Sequence, residues 1–461
     1  MDAVNIVCTG MLDTKGKEIR YLAEQVKKYG GNPILMDLSL AHEMDWADIS
    51  LSDVLKADGL TLQNAFSLPR SEAVHLVGGA AAKKILELYD NGKVDGIISW
   101  AGSVGTSAVT YAMRALPIGV PKMMLCTAAS ADVSGWLANS DIHIANPISE
   151  MGINSITKKT VAPAVAGLIA MAMARKETNR EAEESQQAMG AVTLYGTTTK
   201  TAAKCAELLQ QQHYDVLYAH QTGSGATMED FIRSGDITAI FDITPGELTN
   251  TMFHSAFGIP ESWKGKRFTA AFDMGIPCIA APGGLDQVAY SPPASLPEEI
   301  LKEFSNGKRV SLRDCGKPYH HSASTVIIPT TIAETEKVAN DMMERMNQTK
   351  GKTIFFLPMQ GWSAYDQSLD HASREMGWSE HCNAPVWFPD ENHPSWSKRA
   401  VAMWALMERK WNQSNKNLDI LKCDMHILDD AFSELLCTAM ADILDGRWKK
   451  GMYRDKLGVL A

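Results

Sequence analysis

The chain has no C-x-x-C pair, no long basic stripe, and no uninterrupted apolar run near the ~20 residues a membrane-spanning helix needs. Each absence excludes something. Only eight cysteines are scattered among 461 residues, several inside apolar runs such as Pro277-Cys278-Ile279-Ala280; they read as reduced core residues rather than a disulfide framework. Lys and Arg number 44 against 54 Asp and Glu, a net charge of −10, so the electrostatic footprint for DNA is missing. A phosphorylated small molecule stays open, because backbone amides bind phosphate without net positive charge. Residues 1–8 carry no basic leader or small-residue cleavage site, so a cytoplasmic protein with no membrane partner is expected. Neither G-x-x-x-x-G-K-[ST] nor G-x-G-x-x-G follows the first apolar run, which disfavours a standard NTPase or nicotinamide-dinucleotide enzyme.

What is present is a repeated order of strand, loop and helix. Val4 to Cys8 is a short apolar run, followed by a polar loop and by Ile19, Leu22, Ala23 and Val26 at helical spacing. Gly30-Gly31 stops the helix, and Pro33 to Leu38 supplies a second strand, as in a βαβ unit. Val94 to Trp100 and Pro121 to Cys126 follow as third and fourth strands. Between 174 and 190 the composition turns charged and poor in large apolar residues, which marks a boundary between domains at 1–180 and 190–461. The order then restarts: Ala191 to Tyr195, Val216 to His220, Asp236 to Asp242 and the Pro277 run parallel the four earlier strands. The expected fold is α/β, with two Rossmann-like, doubly wound domains on mainly parallel sheets.

In such sheets ligands bind beyond the carboxyl ends of the strands. In the first domain this singles out Thr9, Gly10, Asp13, Thr14 and Lys15; then Gly102, Ser103, Gly105 and Thr106; then Thr127 and Ser130. Two glycines, two hydroxyls and a following helix suit a phosphate, although any tight strand-to-helix turn uses the same residues. Lys15 can screen phosphate charge. Asp13 can hold a ribose hydroxyl or a metal-bound water, or simply cap its helix.

Together, Thr9 to Gly16, Gly102-Ser103-Val104-Gly105-Thr106, Ala112-Met113-Arg114-Ala115-Leu116-Pro117-Ile118-Gly119-Val120-Pro121-Lys122, Pro282-Gly283-Gly284-Leu285-Asp286 and Asp424 to Asp430 resemble the UPF0261 family of Tm-1-like proteins. The resemblance spans nearly the whole chain. It implies two Rossmann-like domains, binding of an ATP-type nucleotide, and a homodimer or higher homo-oligomer. Where the family reads Gly-Gly-Ser-Gly-Gly-Thr, this chain has Ala101 and Val104, whose side chains narrow the approach to a phosphate. Pro329 stands where the family has an arginine, and the segment 371–416, with Trp378, Trp387, Trp396, Trp404 and Trp411, is longer than the family's. It reads as a lid over a ligand or as packing on the second domain.

The second domain holds the other polar candidates. His220 ends a strand, Asp242 ends the next, Glu247 follows five residues later, and His321 lies in a segment that the resemblance marks. The four are expected to converge as acid, base or metal-ligand groups, with His321 and His220 the candidate ligands of a divalent metal. His426, near the chain end, is expected to pack or cap.

Two functions fit. One is an enzyme acting on a small anionic or hydroxylated metabolite by metal-assisted hydrolysis or carbon–carbon cleavage in an interdomain cleft, with ATP or another nucleotide or phosphate in the first domain. The other is a non-catalytic, ATP-binding regulatory protein with a macromolecular partner.

Overall fold

The central apolar runs become strands buried on both faces, the edge strands stay partly exposed, and the amphipathic stretches become helices covering them, the pattern that parallel pairing demands. A computed structural model describes residues 3–138, 140–184, 187–255, 257–259, 265–309, 318–366, 389–454, 456 and 458–460. Two compact units are present, Met1–Gln186 and Gln187–Ala461.

The first unit is built on β1 (Asn5–Gly10), β2 (Asn32–Asp37), β3 (Gly96–Ala101), β4 (Lys122–Cys126) and β5 (His143–Ala145), in the order β2-β1-β3-β4-β5. Every pair is parallel. The helices Leu12–Lys28 and Ser155–Glu184 bury Ile19, Leu22, Val165 and Leu168 with Ile6, Cys8 and Ile98 on one face. Arg70–Asp90 and Ser103–Ala115 pack Val77, Ile85, Val109 and Met113 on the other. Within Ser155–Glu184, the stretch Ser155–Thr178 is long and apolar enough to cross a membrane. Here it follows β5, the last strand of this sheet in the chain, and packs on one sheet face with Val161, Val165, Leu168 and Ile169 buried.

The second unit opens with β6 (Met189–Leu194), β7 (Asp215–His220), β8 (Ile237–Asp242) and β9 (Cys278–Ala280). It continues with β10 (Gln287–Tyr290), β11 (Tyr319–His320), β12 (Val326–Pro329), β13 (Thr353–Pro358), β14 (Leu418–Cys423) and β15 (Val459–Leu460). The large sheet runs β15-β14-β13-β9-β8-β6-β7, and only β15 is antiparallel to its neighbour. Its stretch β7-β6-β8-β9-β13 repeats the order of the first sheet, 2-1-3-4-5, so each unit has a switch point where crossovers part to either side. A small antiparallel sheet, β10-β12-β11, is an addition without counterpart among the described residues of the first unit.

The described part of the tryptophan-rich segment, from 389 on, is a helix in part. Lys398–Lys410 buries Ala400, Met403 and Met407 at helical spacing, and Trp396, Trp404 and Trp411 pack on the same core. Trp378 and Trp387 lie outside the described residues. Cys8, Cys126, Cys205, Cys278 and Cys423 are buried and reduced, and Cys437 is half-buried.

Candidate functional site

At the carboxyl ends of β6 and β7, with help from the small sheet, the second unit encloses a cavity of about 210 Å³ whose lining includes Tyr195, Thr197, His220, Asn250, Gln287, His321 and Tyr365. Glycine makes room for the Tyr195 ring. A Cβ on Gly246 would fall 2.2 Å from it and one on Gly284 2.6 Å. The Tyr195 hydroxyl accepts from Asn250 Nδ2 at 3.0 Å. Burial, then the charge of Glu247, pushes this phenol far above its ordinary value, so it is neutral. His220 Nδ1 lies 2.8 Å from Thr222 Oγ1, and its ring meets Tyr195 edge-on at 5.9 Å. Though His220 is open to solvent on one side, desolvation by its neighbours lowers its pKa and favours the neutral imidazole. His321 follows β11, where its amide donates to the Thr325 carbonyl at 3.0 Å and its Nδ1 lies 3.3 Å from the Tyr365 hydroxyl.

Two polar atoms in this lining lack partners. Gln287 Oε1 and Thr197 Oγ1 are buried with no hydrogen bond among the described residues. A buried polar group left unpaired costs ~1–3 kcal/mol, a cost that a polar ligand in the cavity would offset.

Asp242 and Glu247 do not join the histidines, so the expected convergence of four groups does not occur. Arg267, fully buried, engages both. Its Nη1 and Nη2 donate to Asp242 Oδ2 and Oδ1 at 2.6 and 2.7 Å, and its Nε donates to Glu247 Oε2 at 3.2 Å. Glu229 Oε1 accepts from Nη1 at 3.3 Å, and Gln221 Oε1 from Nη2 at 2.8 Å. A carboxylate ending a strand buried on both faces needs such a partner. Burial opposes charge on Arg267, but the three carboxylates outweigh it and hold the guanidinium ionised. Burial raises Glu229 and Glu247 in turn.

No three His, Cys, Asp or Glu side chains gather as a metal site among the described residues. Among the described residues, then, no third ligand of this kind stands with His220 and His321. Beside Gln287 in the chain, Asp286 Oδ2 accepts from Ser363 Oγ at 2.7 Å, while its Oδ1 is buried with no hydrogen-bond partner among the described residues. Burial, then the charge of Asp366, raises Asp286 to about 7. His426 packs as expected, its Nε2 3.0 Å from the Asp366 carbonyl and its amide donating to Asp429 Oδ2 at 2.7 Å.

In the first unit a cavity of about 290 Å³ at the switch point is lined by Thr14, Lys15, Gly102, Ser103 and Gly105, joined by Arg70 and Glu150. The helix Leu12–Lys28 is broken at Lys15 (φ −121°, ψ 19°), whose Nζ donates to the Glu150 carbonyl and lies 3.3 Å from Glu150 Oε1. The Thr127 hydroxyl donates to Glu150 Oε2. That hydroxyl first, and then Lys15, holds the Glu150 carboxylate below its usual range. A Cβ on Gly102 would lie 3.0 Å from Glu150 Oε1. The chain's own carboxylate thus stands at the helix N-terminus, where a phosphate was expected.

The remaining candidates there lie outside the lining of this cavity. Thr9 is buried and donates to the Met36 carbonyl at 2.9 Å, and Thr106 is buried with its hydroxyl 3.3 Å from Cys126 Sγ. Gly10 lets Ile19 close on β1, since a Cβ would sit 3.1 Å from its Cδ1. Asp13 is not the N-cap, a position held by Met11; its Oδ2 accepts the amides of Leu40 and Ala41 at 3.2 and 3.0 Å. Ser130 is exposed and outside the lining.

Residues 4–177 match the family model described as "Uncharacterised protein family (UPF0261) N-terminal domain", and residues 187–377 match the corresponding C-terminal domain. A UPF0261 protein of Clostridium tetani is 32% identical over 365 residues, covering 78% of this chain and 85% of that protein. One from Rhizobium meliloti is 31% identical, with the same coverage. The ToMV resistance protein Tm-1 of Solanum lycopersicum is 28% identical over 382 residues; 78% of this chain matches 48% of that longer protein. Among solved structures, the UDP-N-acetylglucosamine 2-epimerase of Rickettsia bellii aligns with 60% of this chain and 79% of its own at 10% identity. Its TM-score of 0.20 is too low to carry an argument.

Proposed function

This chain belongs to the UPF0261 family, and from that premise we propose that its second unit is an enzyme domain binding a small hydroxylated or anionic metabolite in the cavity of His220 and His321. The observation that carries this reading is the unmade hydrogen bonding of Gln287 Oε1 and Thr197 Oγ1 in the lining that holds both imidazoles. Gln287 and Thr197 orient the metabolite's hydroxyls. His220, kept neutral by desolvation, takes a proton as general base, and His321 with Tyr365 returns one to the leaving group. A hydrolase or lyase needs both transfers. Among the described residues no third metal ligand joins the two imidazoles, and in this reading each acts by proton transfer.

The first unit, in the same proposal, holds a phosphate of ATP or a related nucleotide against Lys15, Gly102 and Ser103, which requires Glu150 to move aside. The test is a thermal-shift screen of the full chain against sugar acids, keto acids and hydroxy acids, then turnover assays on each hit. A hit lost in Gln287→Leu and inert to turnover in His321→Asn supports the reading; hits indifferent to both variants overturn it. A second reading, a nucleotide-responsive regulatory protein or self-associating chain, is favoured by the apolar residues Ile148, Met151 and Ile156, which are 67, 61 and 55% exposed beside Glu150.

A further inference from the structure

A second cavity in the same unit, about 660 Å³, lies between the chain around Arg309, the start of the helix Ile332–Met346 and the start of the helix Lys398–Lys410. Its charge is unlike that of the protein. Lys308, Arg309, Lys337, Lys398 and Arg399 line it against two carboxylates, Glu303 and Glu334, in a chain whose net charge is −10. Both carboxylates are already claimed, since Arg309 Nη2 donates to Glu303 Oε2 and to Glu334 Oε1 at 2.7 Å each. Lys308 also pairs with Glu303 at 2.9 Å, Lys398 with Glu391 at 3.3 Å and Arg399 with Asp366, so the five cations Lys308, Arg309, Lys337, Lys398 and Arg399 meet the four carboxylates of Glu303, Glu334, Glu391 and Asp366 and leave a surplus of one positive charge.

The two helix starts differ. Thr331 caps the first, its hydroxyl accepting from the Glu334 amide. At the second, Ser397 makes no side-chain cap, so the 13-residue helix Lys398–Lys410 presents its first amides without that partner. Beside this end stands Arg399, 7% exposed. Its Nη1 donates to Asp366 Oδ1 at 2.6 Å and its Nη2 to the Thr330 carbonyl at 2.9 Å. Those two bonds fix the guanidinium, and its Nε is buried with no hydrogen-bond partner among the described residues. A fixed guanidinium with an unused N–H, an uncapped helix start and three lysines around one cavity form the donor set of an anion site.

We propose that this cavity binds a small organic phosphate, with the phosphate group at the start of the helix Lys398–Lys410, accepting from Arg399 Nε and neutralised by Lys398 and Lys337. The size of the cavity exceeds what inorganic phosphate fills and leaves space for an attached organic moiety. The site is separate from the Lys15 cavity of the first unit and from the cavity of the two histidines, and it does not depend on either being functional.

The test titrates the full chain with inorganic phosphate and with pyrophosphate by calorimetry, and maps lysine acylation by mass spectrometry with and without them. Arg399 compensates buried Asp366, so truncating it would confound stability with binding; the double variant Lys337→Glu/Lys398→Glu changes only lining residues at the solvent side. The expected result is protection of Lys308, Lys337 and Lys398 from acylation by either probe, with affinity at least tenfold weaker in the double variant and unchanged in Lys15→Gln. Arg399→Lys, which keeps the charge facing Asp366, should also weaken binding. Absence of protection, equal affinity in the double variant, or loss of all binding in Lys15→Gln would each overturn the proposal.

Discussion

The Tyr365 hydroxyl stands 3.3 Å from His321 Nδ1, joining the segment after β13 to the segment after β11 at the cavity of the second unit. His321 itself is exposed and sits in no core. His321→Asn is therefore expected to leave stability within ~0.5 kcal/mol while lowering kcat/KM for an accepted metabolite by about 10²- to 10⁴-fold. Parallel urea melts and turnover assays check this; a large stability loss with turnover intact would assign His321 to structure instead.

Asp286 gives the second unit a pH dependence of definite sign. Burial raises this carboxyl from 3.8 to about 7, so the folded state holds a proton that the unfolded chain releases. Stability should fall as pH rises from about 4 to about 7, then level off, because the folded state binds more protons across that window. Asp286→Asn, the neutral isostere, should flatten the slope. Urea midpoints at several pH values measure it, and identical slopes in the two proteins would disprove the assignment.

Removing the guanidinium at 267 should be among the costliest single changes. Arg267→Met leaves Asp242, Glu229 and Glu247 buried without their shared cation, an expected loss of ~3–5 kcal/mol. Adding Glu229→Gln and Glu247→Gln should recover part of it. A denaturant series reads both effects, and a loss below ~1 kcal/mol for the single variant would show that the network is not needed.

Glu150 competes with any phosphate brought to the first unit. In Glu150→Gln, the repulsion between its carboxylate and an arriving phosphate disappears, while the amide can still accept from Thr127. ATP affinity should rise about tenfold, equal to ~1.4 kcal/mol. Calorimetry on the two proteins decides, and equal or weaker binding in the variant would place the nucleotide elsewhere.

Much of the architecture was legible because each parallel strand is a continuous apolar run ending at a polar turn. The run from Val94 to Trp100 became β3 and the run from Asp236 to Asp242 became β8, within two residues at each end. The site was less legible: His220 is marked by its strand end, but most of the residues around it carry no local pattern. Tyr195, Gln287 and Tyr365 reach one cavity from three distant segments. Arg267 was missed altogether, although a carboxylate closing the apolar run of β8 was a sign that a cation had to exist somewhere. Gly105, expected to open the approach to a phosphate, lines the Lys15 cavity and also has a packing role that no sequence pattern marks. A Cβ there would fall 2.6 Å from that of Ala101, so the glycine seats the helix Ser103–Ala115 on β3.

The position of Arg267 in the chain also sets an order on synthesis. β6, β7 and β8 are complete by residue 242, yet the Asp242 carboxylate they bury has its counter-ion 25 residues further on. A nascent chain released from the ribosome before residue 267 must leave that charge in water and the sheet edge open, whatever its local strand propensity. Stalled chains ending at 250 should be cleaved by protease within β6 to β8, and chains extended through 360, which add Arg267 and the neighbouring strands β9 and β13, should resist. Equal resistance at both lengths would show that vectorial synthesis does not wait for the arginine.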